Sequence, residues 1–158
     1  MATEAAVRTF FSSPHFAVVG ASSNPAKYGH KVFAWYVHHS LPVTPINPTA
    51  PAITLPNGGP DHPTVPSLSA LPAPSTTSVS IITPPAATLA VLREAAALGV
   101  PAVWLQPGTF DDEVLRFARA GKGEGFGGAV VAGEGGRGSE GWCVLVDGER
   151  GLRSVGKL

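Results

Sequence analysis

The 158-residue sequence predicts a single α/β domain spanning residues 1–158, a parallel sheet covered by helices on both faces. Three observations carry that expectation. Apolar strand-length segments alternate with stretches of helical periodicity, and short links join them. The first of the apolar segments, Phe16-Ala17-Val18-Val19-Gly20, lacks polar alternation, as a strand buried on both faces does. Length and composition agree: one core suits this chain, and hydrophobic residues make up 44% of it.

Ala2 to Phe11 reads as a helix ended by Ser12-Ser13-Pro14, and Phe16 to Gly20 as the first strand. A small polar loop, Ala21-Ser22-Ser23-Asn24-Pro25, leads to a helix over Ala26 to His39, with Tyr28, Val32, Trp35 and Tyr36 near one stripe. Val43 to Asn47 is expected as a second strand, made irregular by Pro45. Ten of the sixteen prolines fall between Pro42 and Pro74. That stretch reads as extended connection, especially the proline-rich segment 49–63, with Thr64-Val65 a short third strand.

Ser78 to Thr83 is the next strand. Pro84-Pro85 then opens a helix over Ala86 to Leu98, where first-turn amides lack helical partners and proline loses nothing. Its inner stripe is Leu89, Leu92 and Ala96, and Gly99 sits at the expected C-terminal cap. Ala102 to Leu105 reads as a strand, and Asp111 to Ala120 as a helix with acidic residues in its first turn. Ten of the nineteen glycines lie between Gly121 and Gly141, around the island Ala129-Val130-Val131, which reads as a strand. The glycine-rich segment 133–141 is expected as a loop, with Glu134 to Glu140 its tip. Trp142 to Val146 reads as a last apolar segment before a turn at Asp147-Gly148.

Eleven basic residues balance eleven acidic ones and are scattered, which argues against nucleic acid and against an anionic membrane. The longest apolar stretches fall well short of the roughly 20 residues a membrane helix needs. A lone cysteine, Cys143, makes neither an internal disulfide nor a thiolate cluster, so a reducing cytoplasm is the simpler setting. The short Arg-bearing start is also compatible with an organelle address. No metal site is expected, because His15, His30, His38, His39 and His62 show no ligand spacing. His38-His39 reads as a helix-end pair answering the dipole or facing solvent. Neither a nucleophile elbow nor a phosphate-loop motif is present. Asp111, Asp112 and Glu113 read as stabilisers of a helix start, and Cys143 as a buried structural residue.

The informative feature is the strand, the loop Gly20 to Pro25, and the helix behind it. In an open α/β sheet, ligands collect beyond the carboxyl ends of the strands, and a helix N-terminus there favours a phosphate. Gly20 would let the backbone come close, Ser22, Ser23 and Asn24 could donate hydrogen bonds, and Lys27 could add charge. The dinucleotide fingerprint G-x-G-x-x-G is absent, since Ser22 stands at its second glycine. The acidic residue that usually ends the second strand is absent as well; the chain reads Pro45-Ile46-Asn47-Pro48. Ordinary NAD binding loses its ribose anchor, whereas a ribose bearing a 3′-phosphate gains from the missing carboxylate.

The segment Phe16 to Pro25 with Lys27, Tyr28 and Gly29 resembles the opening of small stand-alone CoA-binding domain proteins. So do Pro45 to Pro48, Ser78 to Pro85, Val103 to Gly108 and Cys143 to Gly148. These proteins are relatives of the N-terminal domain of the succinyl-CoA synthetase α subunit. The resemblance implies a Rossmann-like domain with coenzyme A, or a short acyl-CoA, as its small-molecule nucleotide ligand. It implies that Gly20, Ser22, Ser23 and Asn24, with Lys27, hold the phosphates, and that Ala21 and Tyr28 are among the ligand-binding residues. Asn47 and Pro48 would border the adenosine, Thr83, Pro84 and Pro85 the nucleotide and pantetheine arm, and Gln106, Pro107 and Gly108 the thiol end. The synthetase's phosphorylated histidine lies in a second domain that this sequence does not contain. The expectation is therefore a non-catalytic sensing, carrier or regulatory module, acting as a homodimer or with a protein partner. Two alternatives stand beside it: an NAD(P)-binding oxidoreductase-type domain, and an orphan subunit of an acyl-CoA ligase.

Overall fold

A computed structural model describes residues 4–158. The chain runs α1 (Glu4–Phe11), β1 (His15–Val19), α2 (Tyr28–His38), β2 (Val43–Ile46), β3 (Ala52–Ile53) and β4 (His62–Pro63). It continues through β5 (Thr77–Ile81), α3 (Pro85–Leu98), β6 (Ala102–Leu105), α4 (Asp112–Arg119), β7 (Ala129–Val131) and α5 (Val144–Ser154). Ala2, expected to begin the first helix, lies outside the described residues.

Five strands form one parallel sheet in the order β2-β1-β5-β6-β7. The chain leaves β1 toward β2, then returns to build β5, β6 and β7 on the other side. The order thus reverses between β1 and β5, where a crevice opens at the carboxyl edge. Helices cover both faces, a Rossmann-like arrangement.

The unalternating apolar strands fill two cores, one on each face of the sheet. Phe16, Val18 and Trp104 point into a cluster with α1, α2 and α5. Ala17, Val19, Val103 and Leu105 point into a second, under α3 and α4. Each large side chain so buried contributes about 1.5–3 kcal/mol. Phe10 and Phe11 of α1 meet Trp104 edge-on, with ring centroids 5.5 and 5.8 Å apart. Two serines of β5 face this first core and are paired there. Ser78 hydrogen-bonds the Phe10 carbonyl (2.7 Å), and Ser80 meets the Tyr36 hydroxyl at 2.6 Å.

Pro45 leaves β2 regular, since its neighbours pair in register with β1. Its carbonyl faces the outer edge, where it accepts from Val65 N at 3.2 Å, and its missing N–H faces the same way. The third strand expected at Thr64-Val65 is accordingly only an isolated bridge to Ile46. Within the segment 49–63 the short strands β3 and β4 pair as an antiparallel hairpin. Helix α3 begins at Pro85 after Pro84 and ends on Gly99 in the left-handed region (φ 73°). Its buried residues are Thr88, Leu92 and Ala95, while Leu89 and Ala96 are only half-buried. Helix α4 is capped by the Asp111 carboxylate, which accepts from Val114 N at 2.9 Å.

The end of the chain departs from the sequence expectation. Val144 to Ser154 is a helix, and Asp147-Gly148 lies inside it rather than in a turn. Two glycines cost helix propensity, but a Cβ at Gly148 would collide with the Trp35 ring, and one at Gly151 with the Phe11 ring. Close packing against α1 and α2 selects them. Among the described residues, no helix is long and apolar enough to cross a membrane.

Candidate functional site

The loop from Gly20 to Lys27 crosses the carboxyl edge beside the point where the strand order reverses. Gly20 adopts a positive φ of 94°, and a Cβ there would overlap the Ile82 carbonyl oxygen. Gly29, in the first turn of α2, sits so close that a Cβ would overlap the Gly20 carbonyl oxygen. Close approach of loop and helix, which the dinucleotide fingerprint secures with its own glycine spacing, is secured here by Gly20 and Gly29. The fingerprint spacing gave no hint of Gly29's steric role.

The loop's own side chains hold it open. Asn24 Oδ1 accepts from Ala26 N (3.0 Å), so this side chain shapes the turn. Ser22 Oγ accepts from Asn24 N (3.1 Å) and Ser23 Oγ from Thr54 N (2.9 Å), which leaves both hydroxyl protons free to donate. The Ser22 carbonyl pairs with Nδ1 of the buried His30 (2.9 Å). Among the described residues, the backbone N–H groups of Ala21, Ser22, Ser23, Tyr28 and Gly29 meet no backbone or side-chain acceptor. Helix α2 has no side-chain cap, and Lys27 at its N-cap is exposed. The loop therefore presents several unpaired donors and one cation, with no carboxylate on Gly20 to Lys27.

On the α3 side of the loop lies a cavity of about 250 Å³. Its walls come from Gly20, Asn47, Pro48, Pro66, Thr83 and Val91, with Glu94 and Ser67 as further polar members. Thus Asn47, Pro48 and Thr83 do meet around one space. Asn47, however, is already engaged: Nδ2 donates to the Ala21 carbonyl (3.0 Å), and Oδ1 accepts from Thr49 N (2.9 Å) and Ala50 N (3.0 Å). It ties the end of β2 to the loop. Thr83 bonds Thr88 at 2.7 Å and helps start α3, while Pro84 and Pro85 serve as its N-cap and first residue.

Across the loop, between α2 and α5, a second and narrower cleft of about 50 Å³ is lined by Tyr28, Ile82, Gln106, Pro107, Glu140 and Cys143. Gln106 is 2% exposed and forms its floor. Gln106 Oε1 accepts from Val144 N (2.8 Å) and Nε2 donates to Cys143 Sγ (3.3 Å), which clamps the end of β6 to the start of α5. Gly108 lies outside the cleft, exposed and at positive φ. Cys143, expected to be buried, is half-buried at the N-cap of α5.

Asp147 supports this side and escaped the sequence reading, which took it for a turn residue. It is fully buried, and its carboxylate accepts from Cys143 N (3.1 Å) and Arg137 N (2.9 Å). The segment 134–140 is therefore pinned at Arg137 and is not a free loop tip. The buried His30 also went unassigned, since a lone histidine in a helical stripe carries no spacing signal. His39, half-buried, pairs with Glu149 at 3.0 Å. No group of three or more His, Cys, Asp or Glu among the described residues is placed to hold a metal ion.

The fold is shared with proteins of known structure. A hypothetical protein from Pyrococcus horikoshii OT3 superposes with a TM-score of 0.73 at 23% identity, over 95% of this chain and 92% of its own. A protein from Thermus thermophilus gives 0.70 at 26% identity, over 94% and 98%. A conserved hypothetical protein from Pyrococcus furiosus is 33% identical over 65% of this chain and 83% of its own, with a TM-score of 0.57. No protein with a curated description matches the sequence. The family model described as "CoA binding domain" matches residues 14–134, which span β1 to β7 and the whole Gly20–Lys27 loop. The chain belongs to the CoA-binding domain family.

Proposed function

We propose that the protein binds coenzyme A, or a short acyl-CoA, along the carboxyl edge of the sheet and acts as a sensing, carrier or regulatory module without chemistry of its own. The observation that carries this reading is the set of unpaired N–H donors of Ala21, Ser22, Ser23, Tyr28 and Gly29, set between two recesses. The amides of Ala21, Ser22 and Ser23, the hydroxyls of Ser22 and Ser23, and the Lys27 ammonium would hold the pyrophosphate. The larger cavity suits the adenine, with Pro48, Pro66 and Val91 against its faces and Glu94 an acceptor for its amino group. The larger cavity lies beyond β2, β1 and β5 and the narrow cleft beyond β5 and β6, so together they follow the ends of four strands, three spacings of about 4.8 Å, or roughly 14 Å. That span favours an elongated ligand over a mononucleotide.

Two features favour CoA over a nicotinamide dinucleotide. The carboxylate that would hold an NAD ribose is missing after β2, and Asn47 in its place is engaged by backbone groups. A 3′-phosphorylated ribose meets no carboxylate at the end of β2.

Titration calorimetry with CoA, NAD and NADP tests the proposal. CoA should bind, and Ser22→Ala or Lys27→Ala should each weaken it by about 1–3 kcal/mol, the range of charge-assisted hydrogen bonds. Binding of NAD or NADP in preference to CoA would overturn the assignment, and unchanged CoA affinity in both variants would remove the phosphate role of the loop.

A further inference from the structure

The narrow cleft between α2 and α5 has a composition that a purely structural recess does not need. Tyr28, 52% exposed, stands at its rim. It is one of the three large hydrophobic side chains left exposed among the described residues. The floor is rigid, because Gln106 is hydrogen-bonded at both ends of its amide to the first residues of α5. Against this apolar lining, Glu140 is the sole charged member. Among the described residues it has no ion-pair partner.

We propose that this cleft selects the reactive end of the ligand, accepting a free thiol or a small neutral acyl group and rejecting long acyl chains and those ending in a carboxylate. The inference rests on the CoA reading above. With the adenosine in the larger cavity and the pyrophosphate on the Gly20–Lys27 loop, the pantetheine arm leads toward Ile82, Gln106 and Cys143. The cleft measures about 50 Å³, one fifth of the adenosine cavity at about 250 Å³. Room at its end suits a thiol or a two-carbon unit. A four-carbon chain must push against Gln106, whose side chain cannot swing away without unpairing the buried Val144 N–H. An acyl group with a terminal carboxylate meets a second penalty, since its charge arrives beside Glu140.

Binding of CoA, acetyl-CoA, butyryl-CoA and succinyl-CoA, measured by calorimetry on the full chain, separates these effects. Acetyl-CoA should match CoA, and butyryl-CoA should bind at least tenfold more weakly. Succinyl-CoA has the same four-carbon length and should fall below butyryl-CoA by roughly fivefold, the size of a water-screened pair of like charges about 4 Å apart. Glu140→Gln should bring succinyl-CoA to parity with butyryl-CoA. Tyr28→Ala should narrow the gap between acetyl-CoA and butyryl-CoA. Equal affinity across the series with CoA still bound would overturn this inference alone. A succinyl-to-butyryl ratio that Glu140→Gln does not move would overturn the charge selection. Failure of every member to bind, CoA included, would instead strike the functional reading on which the inference rests.

Discussion

Gly29→Ala sets two principles against each other, and the structure decides between them. Gly29 is helical, in the first turn of α2, and carries no positive φ. Helix propensity alone predicts that alanine stabilises the protein by up to about 1 kcal/mol. The added methyl, however, would overlap the Gly20 carbonyl oxygen, with the Gly20 carbonyl carbon at 3.0 Å and Ala21 Cα at 3.5 Å. All three are backbone atoms, so no side chain can rotate away. The Gly20 backbone is itself fixed by its N–H to Ile46 O (3.2 Å) and by contact with Ile82. Overpacking of this kind costs about 1–3 kcal/mol, and a backbone clash belongs at the upper end. The net expectation is a loss of about 1–2 kcal/mol, which lowers Tm by roughly 2–8 °C in a protein of this size. Denaturant titration should report the loss in midpoint with the slope unchanged. The same displacement of α2 from the loop should weaken CoA. A stability equal to or above that of the wild type would refute the argument that packing here overrides propensity.

Further outcomes follow from the buried polar groups. Tyr36 is fully buried; burial raises its phenol above the ordinary tyrosine value of 10.0, and the hydrogen bond from Ser80 offsets this only in part. The contribution of the protonated phenol to stability is complete below pH 10 and is lost as pH rises beyond it, because the unfolded chain ionises first. Ultraviolet titration should therefore find one of the two tyrosines resistant to ionisation until the protein unfolds. Tyr36→Phe should abolish that component and, by leaving the Ser80 hydroxyl unpaired, cost about 1–3 kcal/mol in a denaturant titration. Asp147→Asn replaces one of two accepting oxygens with a donor facing an N–H, either of Cys143 or of Arg137. A loss of about 1–3 kcal/mol is expected, with hydrogen exchange rising first over residues 134–146. Exchange confined to other segments would count against Asp147 as the pin of that loop.

The sheet was legible because its signal is local. Phe16 to Val19, Ser78 to Ile81 and Ala102 to Leu105 are apolar or small on both faces, and the paired strands differ from their expected bounds by a residue or two. The loop Gly20 to Lys27 was legible for the same reason, since strand, glycine, small polar residues and helix follow one another directly. What the sequence concealed depends on residues far apart in the chain. Asn47 reads as a ligand donor until its partners, Ala21, Thr49 and Ala50, are known. Gln106 reads as a residue at the thiol end, yet its amide is anchored to Val144 and Cys143, 37 or 38 residues later. Its place in the cleft is as a wall of fixed shape.

Helix α5 shows how far this non-local dependence reaches. Gly148 and Gly151 lower its intrinsic helicity, and Asp147-Gly148 is turn chemistry by every local rule. The helix forms because two aromatic rings on other elements require those glycines. Trp35 on α2 lies over Gly148 and Phe11 on α1 over Gly151, at positions three residues apart on one helical face. The loss in propensity, about 1 kcal/mol per glycine, is offset by the burial of Phe11 and the partial burial of Trp35, which side chains at 148 and 151 would block. The consequence reaches the site. The same helix carries Cys143 at its N-cap and receives the Gln106 clamp on Val144. A turn at Asp147-Gly148 would leave the Val144 N–H and the Asp147 carboxylate without fixed positions, and the floor of the narrow cleft would not be rigid. The glycines that disguise the helix are the ones that let it dock closely enough to build that floor.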